Sequence, residues 1–327
     1  MAPAIDSRFH MSLYVYKKWD CKSGPDEAQG MRMSISRFVD AHVHLWQLDH
    51  LAYPWLTPPF SDDGPNGNVS AIAHTYLPAD YFADAAGTKV DKIVHIDAGA
   101  HPSHALDETR WLQTLADRTG FPQAIVAFAA LNDQGVEHLL AAHVESRNVR
   151  GIRHILNWHA DPRRTYTPRN LLEDDGFARG YGLLSKYGLS FDLQIYPGQM
   201  RQAYDLARRH PDIPVIINHL GMPVDADRTP WRDGMALLAS LPHVAVKVSG
   251  LGFVDRGWTA DSMAPLVREA IDCFGPGRVL FASDFPTDKL FNSYAYALDA
   301  YDVLTRDFSG PERDAMFAGN AERIYRI

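Results

Sequence analysis

Residues 38–46 read Phe38-Val39-Asp40-Ala41-His42-Val43-His44-Leu45-Trp46, an apolar, β-prone run that closes in a His-x-His pair. As a strand, this run alternates its side chains between two faces, which predicts that Asp40, His42 and His44 project the same way. Two imidazoles on one face at a strand end can grip one metal ion or polarise one carbonyl group. A lone His-x-His also occurs in packed and surface positions, so the weight of the reading falls on the rest of the chain.

From residue 37 onward, eight short β-prone runs alternate with longer stretches patterned for helix. The runs are 37–44, 91–97, 123–130, 149–156, 189–195, 213–219, 243–249 and 278–284. Between them, residues 108–116 carry Trp111, Leu112 and Leu115 at helical spacing, and residues 199–209 carry Met200, Ala203, Tyr204 and Ala207. Alternation of this kind predicts a parallel sheet, and eight units predict its closure into a (β/α)8 TIM barrel. The competing arrangement, an open doubly wound sheet, calls for a glycine-rich phosphate turn after its first strand; this chain has His44-Leu45-Trp46 there.

The 327 residues are 46% hydrophobic and 22% charged, the composition of an ordinary globular protein, and the length suits a single α/β barrel. The formal net charge is -8 with scattered Lys and Arg, which argues against a nucleic-acid partner or an anionic membrane. No apolar run reaches the ~20 residues of a membrane span. Cys21 and Cys273 are the only cysteines and form no disulfide framework or metal spacing, so a cytoplasmic location is expected. Residues 1–36 are polar and aperiodic, and Lys17 and Lys18 precede no apolar stretch of signal-peptide length. They read as an irregular, peripheral N-terminal extension on a single domain spanning 37–327.

A barrel should gather its reactive side chains at the C-terminal ends of its strands. The first run ends in His42 and His44, the fourth carries Arg153 and His154, and the sixth ends Val-Ile-Ile-Asn-His at His219. The seventh offers Lys247 and Ser249, and the eighth is an apolar run that stops at Asp284. A carboxylate there is costly unless paired, hydrogen-bonded or metal-bound. Arg153 and His154 are neighbours on a strand and face opposite ways, with Arg153 expected inward. Trp46 and Trp158 are candidate pocket walls.

The His42-x-His44 pair, Asn218-His219-Leu220-Gly221 and Ser283-Asp284-Phe285-Pro286 together resemble the amidohydrolase superfamily. More narrowly they resemble its lactonase branch, which includes fuconolactonases, pyrone-dicarboxylate lactonases and sulfomuconolactone hydrolases. Tyr53-Pro54-Trp55-Leu56, Glu108-Thr109-Arg110-Trp111-Leu112, Gly151-Ile152-Arg153-His154 and the closing Asn320-Ala321-x-Arg323-Ile-Tyr325 fit the same branch. The resemblance implies a hydrolase that opens a sugar-acid lactone or a carboxylated muconolactone or pyrone by water attack at the barrel mouth. His42, His44, His219 and Asp284 would then be catalytic, and would hold one divalent metal, zinc first among candidates; a metal-free mechanism using the same groups is the alternative. Binuclear members carry a Lys or Glu on the fourth strand and a His on the fifth. Here Arg153 and Gln194 stand in those places, so one metal rather than two is expected. Arg153, His154, Lys247, Trp46, Trp158 and Gln194 are the expected substrate contacts. The partner is a small molecule, with room for a homo-oligomer. The competing function is a metal-dependent, non-oxidative decarboxylase of an aromatic or enoic acid, which would use the same four residues. A catalytically dead scaffold is the third.

Overall fold

The computed structural model describes residues 35–327, so the extension expected over 1–36 lies outside the described residues apart from Ile35 and Ser36. Eight strands form one sheet in sequence order: β1 (Phe38–Val43), β2 (Val90–Ile96), β3 (Ala124–Phe128), β4 (Val149–Arg153), β5 (Ser190–Leu193), β6 (Val215–Ile217), β7 (Val244–Val248) and β8 (Val279–Phe281). Each pairs in parallel with the next, and a parallel bridge from Val43 to Phe285 closes β8 back onto β1. Across that seam the His44 N–H donates to the Phe285 carbonyl at 2.8 Å, and the Asp284 N–H donates to the His42 carbonyl at 2.9 Å. The architecture is the TIM barrel, and the open-sheet alternative falls away.

The strands are near-continuous apolar runs because both of their faces are covered. Val39, Ala41, Val94, Ile96, Ala124, Val126 and Leu280 fill the barrel interior. Phe38, Ile93, Phe191 and Val246 belong to the larger outer layer, packed beneath helices such as Ala105–Thr119 and Ala260–Phe274. The second of these begins at Thr259, whose hydroxyl accepts from the Ser262 N–H at 3.1 Å. The first stops at Gly120, whose φ of +83° suits a left-handed cap that a side chain would strain.

Two expectations about the strands need correction. β6 and β8 are only three residues long, so His219 and Asp284 sit just beyond the ladder rather than on it. The backbone is left-handed at both, with φ of +53° and +59°. Asp40, expected to share a face with His42 and His44, does not. The register of β1 against β2 shifts between Asp40 and Val43, and the irregularity puts the carboxylate on the helix side. There it accepts from Tyr81 Oη at 2.8 Å and Tyr294 Oη at 3.2 Å, both on outer helices. It also accepts from the Ser283 N–H at 2.8 Å, tying β1 to the segment that carries Asp284. Among the described residues, no helix is long and apolar enough to cross a membrane.

Candidate active site

The C-terminal strand ends bring His42, His44, His219 and Asp284 into one cluster. Asp284 Oδ1 lies 3.3 Å from His42 Nε2 and 3.2 Å from His44 Nε2. The rings of His42 and His219 are 4.7 Å apart, and those of His42 and His44 are 4.9 Å apart. All four residues are buried, Asp284 to 1% exposure and His42 completely. The left-handed backbone at Asp284 and His219 is rare for non-glycine residues and is concentrated at sites the surrounding fold over-determines.

The hydrogen bonds of the cluster define which lone pairs face one another. His44 Nδ1 is 2.8 Å from the Ile96 carbonyl, which can only accept, so Nδ1 carries a proton and Nε2 is the nitrogen turned toward Asp284. His219 Nδ1 is 3.0 Å from Ser249 Oγ, which leaves its Nε2 for the site. Neither ring nitrogen of His42 has a hydrogen-bond partner, and neither has Asp284 Oδ2. Imidazole lone pairs crowded against a buried carboxylate are an arrangement that a cation relieves. Donor atoms of His42, His219 and Asp284 lie within 4.8 Å of one another, and this donor set fits one divalent ion. His44 stands beside that trio as the fourth residue of the expected set.

Electrostatics keep these groups in ligand-ready form. Burial first, then the positive charge of Lys247, holds the His42 pKa well below its ordinary value. Burial lowers His219 to about 4, although Asp284 opposes the shift. Burial pushes Asp284 up, but its contacts with His219, His44 and Arg153 outweigh that and hold it below the usual carboxylate range. At neutral pH His42 and His219 are therefore neutral imidazoles and Asp284 is an ionised carboxylate.

Above the cluster opens a pocket of about 210 Å³, whose wall includes His44, His219, Asp284, Arg153, Gln194 and Trp55. Arg153, the last residue of β4, points inward, as expected of it. Its neighbour His154 points outward, with rings of Phe128 and Phe177 against it and Nδ1 accepting from the Leu131 N–H, so it is no substrate contact. Lys247 also misses the pocket: it lies deeper in the barrel, fully buried, 2.5 Å from Asp192 Oδ1, which Tyr325 Oη also reaches at 3.0 Å. Trp46 is fully buried, with its indole N–H on the His74 carbonyl, and Trp158 is 39% exposed; neither forms the wall. For His154, Lys247 and Trp46 a neighbouring element, invisible in the strand's own pattern, claims the side chain.

The wall residues that sequence reasoning did not assign include Trp55, Asn66, Tyr166, Met222, Phe253 and Thr287. Trp55 was visible only as part of the Tyr53–Leu56 motif; its indole N–H donates to the Ala98 carbonyl at 2.8 Å and holds the ring at the rim. Asn66 and Tyr166 come from two different loops and meet through a 2.8 Å hydrogen bond from Tyr166 Oη to Asn66 Oδ1. No local periodicity marks such loop residues.

Residues 39–327 match the family model described as amidohydrolase. The chain belongs to the amidohydrolase family. An uncharacterised Sinorhizobium fredii relative of this amidohydrolase is 42% identical over 90% of this chain and 100% of its own. An L-fucono-1,5-lactonase of Burkholderia ambifaria is 28% identical over 88% of this chain and 95% of its own length. Among solved structures, a Burkholderia multivorans amidohydrolase with bound zinc superposes with a TM-score of 0.73 at 27% identity, covering 89% of this chain and 100% of that one. The zinc in that relative agrees with the donor set of His42, His219 and Asp284 here.

Proposed function

We propose that this amidohydrolase is a lactonase that opens an uncharged, hydroxyl-rich lactone ring, such as a sugar-acid lactone. The observation that carries the reading is Asp284: an ionised carboxylate at the pocket wall, with one oxygen against two histidines and the other unpartnered. That geometry suits a general base for the attacking water. The likeness to L-fucono-1,5-lactonases over nearly the whole chain supports the substrate class. The protein's engagement of Arg153 favours a neutral ring over a carboxylated one, because Asp97 and Gln194 already occupy the guanidinium.

His42, His219 and Asp284, with His44 beside them, would hold a divalent ion; when bound, such an ion lowers the pKa of water and polarises a carbonyl. The chain's own residues do the rest. Asp284 Oδ2 accepts the proton of the attacking water and returns it to the ring oxygen that leaves as a hydroxyl. His42 and His44 stand against that carboxylate, and His44 and His219 are held from behind by the Ile96 carbonyl and Ser249 respectively. Asn66, Tyr166 and Gln194 offer polar atoms to ring hydroxyls, and Trp55 and Phe253 offer apolar faces.

Ring opening converts a neutral lactone to an acid and releases one proton, whereas the competing decarboxylase reaction releases CO2. A panel of neutral aldonolactones, carboxylated lactones and aromatic acids, followed by a pH indicator and by CO2 trapping with and without chelator, separates them. Proton release with a neutral lactone above its spontaneous rate supports the proposal. CO2 release, or no hydrolysis of any lactone by folded protein, rejects it.

A further inference from the structure

We infer that Asp97 is the specificity residue of this pocket: by pairing with Arg153 it makes the site select an uncharged ring over a carboxylated one. This rests on the lactonase reading for its kinetics, though its binding consequence does not. Asp97 lies one residue beyond β2 and is 2% exposed. Arg153 Nε donates to its Oδ2 at 3.4 Å, Arg153 Nη2 donates to its backbone carbonyl, and Arg153 Nη1 donates to Gln194 Oε1 at 3.2 Å. The Nε–Nη2 edge, which would receive a substrate carboxylate in parallel hydrogen bonds, is therefore filled from within the protein.

Asp97 is held in place independently of Arg153, since its Oδ1 accepts from the Gly99 N–H at 2.9 Å. Near it sits Glu108, 1% exposed, close to the Tyr53 hydroxyl and the Ala98 backbone. Burial and then the charge of Asp97 push the Glu108 carboxyl up to about 8, so at neutral pH it adds little negative charge. The cluster thus holds one guanidinium against one carboxylate. Lys247, the next cation inward, is matched by Asp192. At the rim Arg163 pairs with Asp161, and Arg164 with Asp225. Near the rim Arg256 lies over the Phe291 ring with Nη2 toward the Asn66 carbonyl, so a substrate carboxylate at the pocket wall finds the Arg153 guanidinium already matched by Asp97 and gains little from it.

The test is Asp97→Asn. The amide keeps the acceptor for Gly99 but turns an NH2 toward Arg153 Nε, so donor faces donor there and the matching charge is gone, while Nη2 keeps the backbone carbonyl and Nη1 keeps Gln194; Nε and the uncompensated charge become available to a substrate carboxylate. Wild type should favour a neutral aldonolactone over a carboxylated lactone of the same ring size. The variant should shift the ratio of kcat/KM toward the carboxylated compound by at least ~10-fold, the scale of a hydrogen bond to a charged group, mainly through KM. Malonate titrated calorimetrically provides the second reading: weak with wild type, at least ~10-fold tighter with Asp97→Asn, and lost again in Asp97→Asn/Arg153→Gln. If wild type hydrolyses no lactone, the lactonase reading fails while the malonate titration still decides the role of Asp97. Should Asp97→Asn fail to fold, Asp97→Ser removes the charge with a smaller cap and is read in the same assays. An unchanged ratio and unchanged malonate affinity in a folded variant overturn the inference, as does malonate binding that survives in the double variant.

Discussion

Gly250→Ala tests whether the placement of His219 matters to the chemistry. Gly250 follows β7 with φ of +60°, and a Cβ added there would lie 2.3 Å from His219 Nδ1 and 2.7 Å from its Cγ. Two costs arise. The left-handed backbone strains an alanine by about 1–2 kcal/mol. Overpacking a buried site adds about 1–3 kcal/mol. Together they predict a loss of roughly 2–5 kcal/mol, at its lower end if the imidazole retreats and at its upper end if it holds. Relief to an ordinary contact near 3.4 Å requires the ring to move by about 1 Å, away from Ser249 Oγ, its 3.0 Å partner. A misplacement of ~1 Å at a catalytic group can lower turnover on the order of 100-fold. Urea denaturation and steady-state lactone hydrolysis on the same preparation give both readings. Gly257→Ala is the control, because its added Cβ would have only Asp255 Oδ1 at 3.8 Å for company and should change neither. A Gly250→Ala protein as stable and as active as wild type would refute the tight packing of Gly250 against His219 and the role drawn from it.

Further expectations follow from the same site. Asp284→Asn should fold, since asparagine tolerates the left-handed backbone, yet lower kcat by at least ~100-fold, as loss of a general base does; near-normal turnover would remove Asp284 from the mechanism. Purified protein should contain about one equivalent of zinc, and His42→Ala should lose most of it; metal analysis finding none, with activity indifferent to chelator, would leave the histidines as polar groups alone. Burial lowers His143 and His154 to about 4 in the folded protein, against an unfolded value near 6.5. Between those values the unfolded chain binds more protons, so their contribution is fully present above about pH 6.5 and is lost as pH falls toward 4, at roughly 3 kcal/mol per group. Urea midpoints at neutral and acid pH should show that decline, and His154→Gln should flatten part of it; an unchanged slope would contradict the burial argument.

The alternation of apolar runs and helical stripes determined the barrel from sequence alone, because strands covered on both faces must be apolar throughout and eight such units close on themselves. His42, His44, His219 and Asp284 were legible too: costly polar groups that end apolar strands must be satisfied by one another or by a ligand. Period alone could not say which way a side chain turns once the ladder is irregular. Asp40 left its expected face at a register shift and became the acceptor for Tyr81, Tyr294 and Ser283. Lys247 and Arg153 are both cations near strand ends, yet one is matched by Asp192 deep in the barrel and the other is tethered by Asp97 at the pocket wall. Those pairings join residues 55 or more positions apart, so nothing in the local pattern announces them. Hydrophobic periodicity is a local property and sets the fold; the charge available to a substrate is a sum over side chains from different strands, and only the closed barrel brings them together.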